Sequence, residues 1–548
     1  MTAKQRIRVK AGSAVMPVPA QRGAPTARYL RGDRSGLLHM RQAVTRDARI
    51  NVREAADRAA ALAVDFIHNS GWMAGAAAQV LCDTIGVELK LNCRAQLKAF
   101  GYSAKTNADW CRAVEAAWLK WAWNPRECDL AGERTIADMS DGVLLSYLGT
   151  GEGLGVFDEF TSAERRRYGV RTGIKVSLVQ PHRLPRVTRE FEGLEDGVFR
   201  DAIGRAEVYR FKAREGGIDR DKDIEARQVI HVMDRGEAGI LRGITPLAPA
   251  LKVLAQSDQL ADATLATALM QTIFAATINS PEPSEQAFQA IQALEDMTTP
   301  PPGYDAATWI DMVGGLRGDF LEVWGQRIDA LKSGSISMTD PAQINHLGPG
   351  ETFSMHTAAT PGSQYLPFSK NLQAEMARCL GVTLEAFTGD HSSSSYSSVR
   401  MAVASIWPIV VRRRQRIVAP FNQAVYERWL EESIFEGRIP FKGGYRAFAR
   451  DPEAVFQAEF QGPEKPSADP YKDAMASAKL MELNLSSHAD EAIARGKNPQ
   501  ELLVQIEREI KTMEAAGIPI PFGRSKGGDG GPQGSAMPGN REPVKEDA

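Results

Sequence analysis

The glycines of Gly149-Thr150-Gly151-Glu152-Gly153-Leu154-Gly155 invite a chemical reading first, because a glycine-rich turn can bring backbone N–H groups up to a phosphate. The spacing is not GxGxxG, and the Lys and Ser/Thr that would reach phosphate and magnesium are missing, so the run reads as a structural turn. Asp219-Arg220-Asp221-Lys222-Asp223 opens like a calcium loop. Ile224, however, stands where a glycine must make the sharp turn, and Ile230 replaces the bidentate glutamate, which leaves a solvated hairpin with local charge pairing. The eight histidines never fall at HxxxH or HExxH spacing, and no Cys/His grouping offers four zinc ligands. His231, inside an apolar strand, reads as a satisfied core or edge residue. No GxSxG elbow exists, and the serines at 392 to 395 lie in a loop that would not preorganise a nucleophile. The residues predict no catalytic site, no metal and no cofactor.

Two constellations remain. Arg412, Arg413, Arg414 and Arg416 form the densest basic cluster, and four such helical positions cannot all face one way. They suit salt bridges within or between subunits, for instance with Glu431 and Glu432 of a neighbour, or contact with DNA phosphate. The second constellation is Gly389, Asp390, His391, Ser392, Ser393, Ser394, Ser395, Tyr396, Ser397 and Ser398. Such a small-residue loop cannot build a core, so it is either a disordered surface excursion or a flexible finger held out by the helices on either side.

The flanking elements follow from periodicity. A helix from Arg53, a break at Asn69-Ser70-Gly71 and a second helix closed by Gly86 open the fold. A third helix, starting near Thr106 or Asn107, places Trp110, Val114, Trp118 and Trp121 on one face, a stripe that reads as core. Between Gly142 and Asp234 the pattern turns β-rich, at Ile174 to Val179, Ala206 to Phe211 and Gln228 to Met233. Thr245 as N-cap and Pro246 at the first helical position launch a helix towards Ile278. After Pro300-Pro301-Pro302 comes a small β-like module, Ile328 to His356, with Gly348-Pro349-Gly350 as a type II turn. A helix from about Ser363 to Leu380 returns the chain, and a long helix from Val399 to Ile434 should kink at Pro408 and Pro420. Helices from about Asp469 to Ala516 end the ordered chain.

Totals bound the class. The 548 residues, 43% hydrophobic, suffice for a sizeable core of α+β type, and 66 basic against 68 acidic residues do not describe a protein that grips nucleic acid through phosphate neutralisation. The five cysteines, Cys82, Cys93, Cys111, Cys128 and Cys379, form no CxxC pair and read as reduced thiols. No apolar run reaches the roughly 20 residues of a membrane span. The first 45 residues are basic, with Pro17, Pro19 and Pro25, and read as a poorly ordered arm that is either a solvated tail or a contact arm for DNA or a neighbouring subunit. Residues 523–548 read as a disordered tail.

Taken in order, several short stretches resemble the portal, or head-tail connector, proteins of tailed bacteriophages, in particular the lambda-type family. They are Asn69-Ser70-Gly71-Trp72-Met73-Ala74-Gly75, Val229-Ile230-His231, Leu241-Arg242-Gly243-Ile244-Thr245-Pro246-Leu247, Leu347-Gly348-Pro349-Gly350-Glu351, Leu380-Gly381-Val382, Gly389-Asp390, Tyr396-Ser397-Ser398-Val399-Arg400 and Asp469-Pro470-Tyr471-Lys472-Asp473-Ala474. The resemblance implies a subunit with a wing (46–244), a stem helix (245–279), a small β-containing clip (280–362), a second stem helix (363–388), a tunnel loop (389–398), a long kinked helix returning to the wing (399–468) and a helical crown (469–522). It implies a self-assembled ring, usually dodecameric, at one capsid vertex, through which double-stranded DNA passes without sequence preference. Ile344, His346, Pro349, Phe353 and Met355 of the clip would face the terminase large subunit and then head-tail adaptor proteins, and the major capsid protein would surround the ring. The protein would sit in the virion, after assembly in the host cytoplasm. A scaffold or shell subunit, or a DNA-acting or maturation enzyme, are the competing readings.

Overall fold

The computed structural model describes residues 47–518 apart from 216, 274–275, 280–291, 293–299, 301–304, 333–351, 356–361, 363, 393 and 468. Helix α1 (Ala48–Asn69) buries Val52, Ala56, Ala59, Ala63 and Ile67 along one stripe. Ser70, in extended conformation, breaks it, and α2 (Gly71–Thr84) follows. Gly86, at φ +72°, then turns the chain out of the helix, as its type and place predict. Strand β1 (Lys90–Cys93) leads to α3 (Ala104–Ala122), which starts slightly earlier than its periodicity predicts because Ser103 and Thr106 cap one another's backbone N–H groups. Trp110, Val114, Trp118 and Trp121 are all buried, and Trp118 meets Trp429 and Tyr426 edge to face at 5.3 and 5.7 Å.

Helix α4 (Ile136–Thr150) runs into the glycine run. Gly151 takes φ +88° and lies so close to Ile244 that a Cβ would collide with its backbone, so this run is the structural turn that its spacing predicts. Strand β2 (Glu152–Glu159) is the centre of a three-stranded antiparallel sheet between β3 (Ile174–Val179) and β8 (Val229–Met233). Between them the chain makes a second antiparallel sheet, β4 (Leu194–Glu195), β5 (Val198–Arg200), β6 (Ala206–Glu215) and β7 (Ile218–Glu225). Its small core of Leu154, Leu184, Val198, Tyr209 and Phe211 is separate from the main one. The acidic stretch forms β7, whose Asp223 pairs with Arg210 at 2.8 Å and whose Asp219 pairs with Arg183 at 3.2 Å.

The hydroxyl of Thr245 accepts the Leu247 N–H at 3.1 Å and donates to the Leu148 carbonyl at 2.6 Å. Pro246 does not begin an α-helix, however: a turn and a short 3-10 stretch, Ala248–Ala250, come first, because the Thr245 bond ties the chain down to α4 before it can wind. Helix α5 (Leu251–Ile273) then gives way to β9 (Ala276–Asn279). Residues 328–332, predicted to open a β-like module, instead end a 27-residue helix, α6 (Ala306–Lys332). Gly314, Gly315 and Gly318 obscure its period, and helix formers such as Leu316, Leu321 and Leu331 prevail. Strand β10 (Thr352–Met355) pairs antiparallel with β9, Phe353 opposite Ile278 and Met355 opposite Ala276.

Helix α7 (Tyr365–Leu380) ends at Gly381, φ +69°, and α8 (Leu384–Thr388) at Gly389, φ +68°. Helix α9 (Tyr396–Arg413) continues through a π-helical turn, Arg414–Val418, into α10 (Ala419–Phe435). The interruption falls between Pro408, inside α9, and Pro420, in the first turn of α10. Phe421, Val425 and Trp429 of α10 lie in the main core. Strand β11 (Ala458–Gln461) pairs with β1, Lys90 opposite Gln461, so the chain closes on its beginning. Helices α11 (Pro470–Glu482), α12 (His488–Ala494) and α13 (Pro499–Ala516) follow, and of their residues Ala492 alone is buried. Among the described residues no helix is long and apolar enough to cross a membrane.

Candidate functional site: a serine finger and its arginine base

Each turn of the finger is built by a local rule. Thr383 caps α8 by accepting the Ala386 N–H at 3.1 Å, and the Gly389 N–H bonds the Glu385 carbonyl at 2.8 Å. Asp390 then folds the loop on itself. Its Oδ1 accepts the Ser392 N–H at 2.9 Å and the Ser392 hydroxyl at 2.6 Å, and its Oδ2 lies 3.4 Å from Nζ of Lys370 on α7. The Ser392 hydrogen bonds, with Lys370 behind them, hold its carboxyl down at about 2, so the loop's only acidic charge is ionised and neutralised in place. Ser394 donates to Glu385 Oε1 at 3.3 Å.

Ser395 is the N-cap of α9: its hydroxyl accepts the Ser398 N–H at 3.3 Å, and the Ser398 hydroxyl accepts the Ser395 N–H at 3.0 Å. Tyr396, Ser397 and Ser398 therefore belong to α9, and the loop is shorter than the predicted 389–398. The Ser-x-x-Ser pattern at 395 and 398 carried that signal. Gly389, Asp390, His391 and Ser392 are exposed, Tyr396 is exposed with Lys472 over its ring at 5.5 Å, and Ser393 lies outside the described residues.

The arginines divide by direction, as helical geometry requires. Arg412 is exposed and pairs with Asp234 at 3.0 Å. Arg413 is buried and donates Nη2–H to the Leu380 carbonyl at 2.8 Å. Arg414 donates to the carbonyls of Thr84 at 2.7 Å, Asp83 at 3.0 Å and Pro463 at 3.1 Å. Arg416 is exposed. Arg413 and Arg414 are thus turned inward on backbone carbonyls, and Arg412 and Arg416 remain at the surface, so the cluster divides as its helical spacing requires. Within the single chain Glu431 and Glu432 take other partners. Glu431 accepts the Tyr445 hydroxyl at 3.0 Å, and Glu432 pairs with Arg165 and Arg438, each at 3.0 Å.

A third cluster, which sequence reasoning missed, ties the three-stranded sheet to the start of α5. Glu152 at the head of β2 is fully buried and takes Arg242 at 2.5 Å, His231 Nε2 at 3.1 Å and the Gly243 N–H at 3.1 Å. Arg242 and the His231 hydrogen bond outweigh burial and hold the Glu152 carboxyl far below its usual range, while burial keeps His231 low and neutral. Arg242 also donates to the Asp196 carbonyl at 2.8 Å, and Asp196 pairs with Arg53 of α1 at 2.8 Å. His231 is the satisfied residue that its apolar strand predicts. Its partners, Glu152 and Tyr209, come from 79 and 22 residues away, which no local spacing reveals.

Of the predicted docking residues, Phe353 and Met355 lie on β10. Ile344, His346 and Pro349 lie outside the described residues, as do the basic arm (1–45) and the tail (523–548). The five cysteines are free. Among the described residues no group of three or more His, Cys, Asp or Glu could hold a metal ion.

Known proteins give this geometry its context. Residues 34–414 match the phage portal proteins of the lambda family. Portal protein B of Escherichia phage lambda is 24% identical over 479 residues, 85% of each chain. The portal protein of Escherichia phage N15 is 25% identical over 483 residues, 85% of this chain and 86% of that one. A chain in the neck of a native gene transfer agent particle, computed with C12 symmetry, aligns with 82% of this chain and 99% of its own at 12% identity and a TM-score of 0.41. The family match and the two phage relatives define the class, a structural component of a phage particle, a head-tail connector and not an enzyme. The chain belongs to the lambda family of phage portal proteins.

Proposed function

We propose that this portal chain closes with copies of itself into a dodecameric ring at one capsid vertex, with α5 and α7 around a channel for double-stranded DNA and the 389–395 loop facing the duplex. The observation that carries the reading is the chemistry of that loop. Among its described residues there is no Lys or Arg, and its one carboxylate is neutralised by Lys370. A conduit must let phosphates pass without holding them, because each strong basic contact adds salt-dependent affinity that brakes translocation. Hydroxyls, glycine and an exposed Tyr396 supply contact without that brake.

Exposed apolar side chains support closure. Leu265 and Leu269 on α5, Leu316 on α6 and Leu366 and Phe368 on α7 are each more than half exposed in the single chain. Head-to-tail interfaces of a ring would cover such surfaces. The β9–β10 ladder would lie in the clip that meets the terminase large subunit and later the adaptor proteins. The major capsid protein would surround the ring, which would assemble in the host cytoplasm. With no phosphate-binding loop in the sequence, ATP hydrolysis falls to the terminase.

Negative-stain microscopy of purified protein tests the ring. Particles with a central hole wide enough for duplex DNA are expected, whereas shells, filaments or persistent monomers would sink the reading in favour of a shell or scaffold subunit. Deleting Ser392–Ser395 should leave rings intact and impair DNA packaging or retention in particles. Loss of rings would instead make the loop structural.

A further inference from the structure

Arg413 is buried with no carboxylate bonded to it among the described residues, Asp83 acting on it only through space. Only 9% of it is exposed, no acidic side chain pairs with it among the described residues, and its Nη1 has no hydrogen-bond partner there. Its one bond, Nη2–H to the Leu380 carbonyl at 2.8 Å, joins positions 33 apart in sequence. Leu380 is the last residue of α7, where a helix leaves its carbonyls unsatisfied and its dipole negative. From Leu380 the chain makes α8, whose Phe387 still packs in the main core, then the serine loop and α9, and comes back to the end of α7 at Arg413. The two ends of this excursion are packed as closely as they are bonded. A Cβ on Gly381 would stand 2.9 Å from Cγ2 of Ile409 and 3.5 Å from Nη2 of Arg413.

The neighbouring arginine faces the other way. Arg414 opens the π-helical turn and donates to Thr84 and Asp83 at the end of α2 and to Pro463 on the way to the C-terminal helices. It fills the space beside Gly462, where a Cβ would collide with its guanidinium. One residue therefore ties the returning helix to the end of α7, and the next ties it to the body. The register change of the π turn begins between them.

We propose that Arg413 is the clasp at the base of the serine finger, a positioning residue that holds 381–412 as one unit on the end of α7, while Arg414 anchors that unit to the body. Farther out, Trp72 of α2 stacks on Phe387 at 5.9 Å and Lys370 reaches Asp390 at 3.4 Å, so the finger is steadied along its length, while among the described residues the hydrogen bond that joins its two ends is the one from Arg413. That the finger faces DNA rests on the proposed function. That Arg413 closes its base does not.

Hydrogen exchange on the purified full chain reads the clasp directly. Phe387 and Gly389 have amides bonded within the finger, to Thr383 and Glu385, and Val382 at its base has an amide bonded back to Ala377 of α7. In Arg413→Met these amides should exchange at least about tenfold faster, since a bond to a charged donor is lost from a buried carbonyl, while α1 to α4 keep their protection. Arg414→Met should instead loosen 83–86 and 462–464 and leave those three amides unchanged. Arg412→Ala, which breaks the exposed pair with Asp234, should alter neither set. Finger protection unchanged within about twofold in Arg413→Met, or protection lost evenly over the chain, would overturn the clasp. If Arg413→Met does not fold, Arg413→Lys, which keeps the charge but not the planar fork, is judged by the same two outcomes. Packaging of DNA into particles is the separate arm: a loosened finger with undiminished packaging would leave the clasp standing and remove the DNA-facing role.

Discussion

Two buried glutamates respond to pH in opposite directions, and each has a physical cause in its neighbours. Glu152 is held ionised by Arg242 and His231, so its folded pKa lies below its unfolded one. The stability it contributes is present above its unfolded pKa of ~4.3 and is lost as pH falls through the folded value. Glu152→Gln should cost about 3–5 kcal/mol in urea unfolding at neutral pH, because Arg242 is left buried without its counter-charge, and should flatten the acid limb of the stability curve. Glu115 behaves conversely. Burial, with repulsion from Glu501, raises its carboxyl to about 7 although the Cys93 N–H and Asn498 Nδ2 both donate to it, at 2.8 and 3.0 Å. Its folded pKa exceeds its unfolded value, so the fold binds the extra proton between 4.5 and about 7 and loses stability as pH rises through that window. Melting temperature measured from pH 5 to 8 should fall less in Glu115→Gln than in the parent. An unchanged slope would assign the dependence to another group.

At the scale of elements, turns and caps are decided by neighbours in sequence and were the most legible part of the chain. The break at Ser70, the glycine after α2, the buried tryptophan stripe and the Asp469 and Pro470 start of α11 follow from residue types at fixed offsets. Ser395→Ala removes a reciprocal cap and should cost about 1 kcal/mol, read as faster amide exchange confined to the first turn of α9. Gly151→Ala should be far worse. Its φ of +88° and the Ile244 backbone beside it leave no room for a methyl group, so a loss above about 2 kcal/mol and a lower melting temperature are expected. Less legible were α6, whose glycines hide its period, and the delayed start of α5, where a hydrogen bond from Thr245 to Leu148, 97 positions away, outweighs a good local start signal.

Over the whole molecule the helices after β11 are an addition to a finished body. The main core extends from Ala63 to Phe460, and α11 to α13 bury Ala492 alone, with Asn498 at the head of α13. A chain ending at Glu464 should keep its melting temperature within about 5 °C, since little apolar area is lost, and circular dichroism with size-exclusion chromatography would check it. A larger fall would mean that the Glu115–Asn498 contact, or subunit contacts made by these helices, stabilise the body. The exposed leucines of α5, α6 and α7 belong to the same scale, because nothing among the described residues of the single chain covers them.

The finger shows where sequence stops. The small residues of its 389–395 loop, the caps on either side and the lack of Lys and Arg between 389 and 395 are properties of the chain order, and under the proposed function they would limit the loop to weak contacts with a polyanion. The arginine cluster, equally visible, was ambiguous, since a helix turns each successive residue about 100° and adjacent arginines face different surroundings. Only the fold decided that Arg412 meets Asp234 at the surface, that Arg413 closes the finger on Leu380 and that Arg414 grips the end of α2. The buried Glu152 cluster is of the same kind. Hydrogen-bond and apolar patterns within a few residues are readable because their partners are covalently near. Pairings across tens to hundreds of residues exist only once packing has brought the elements together.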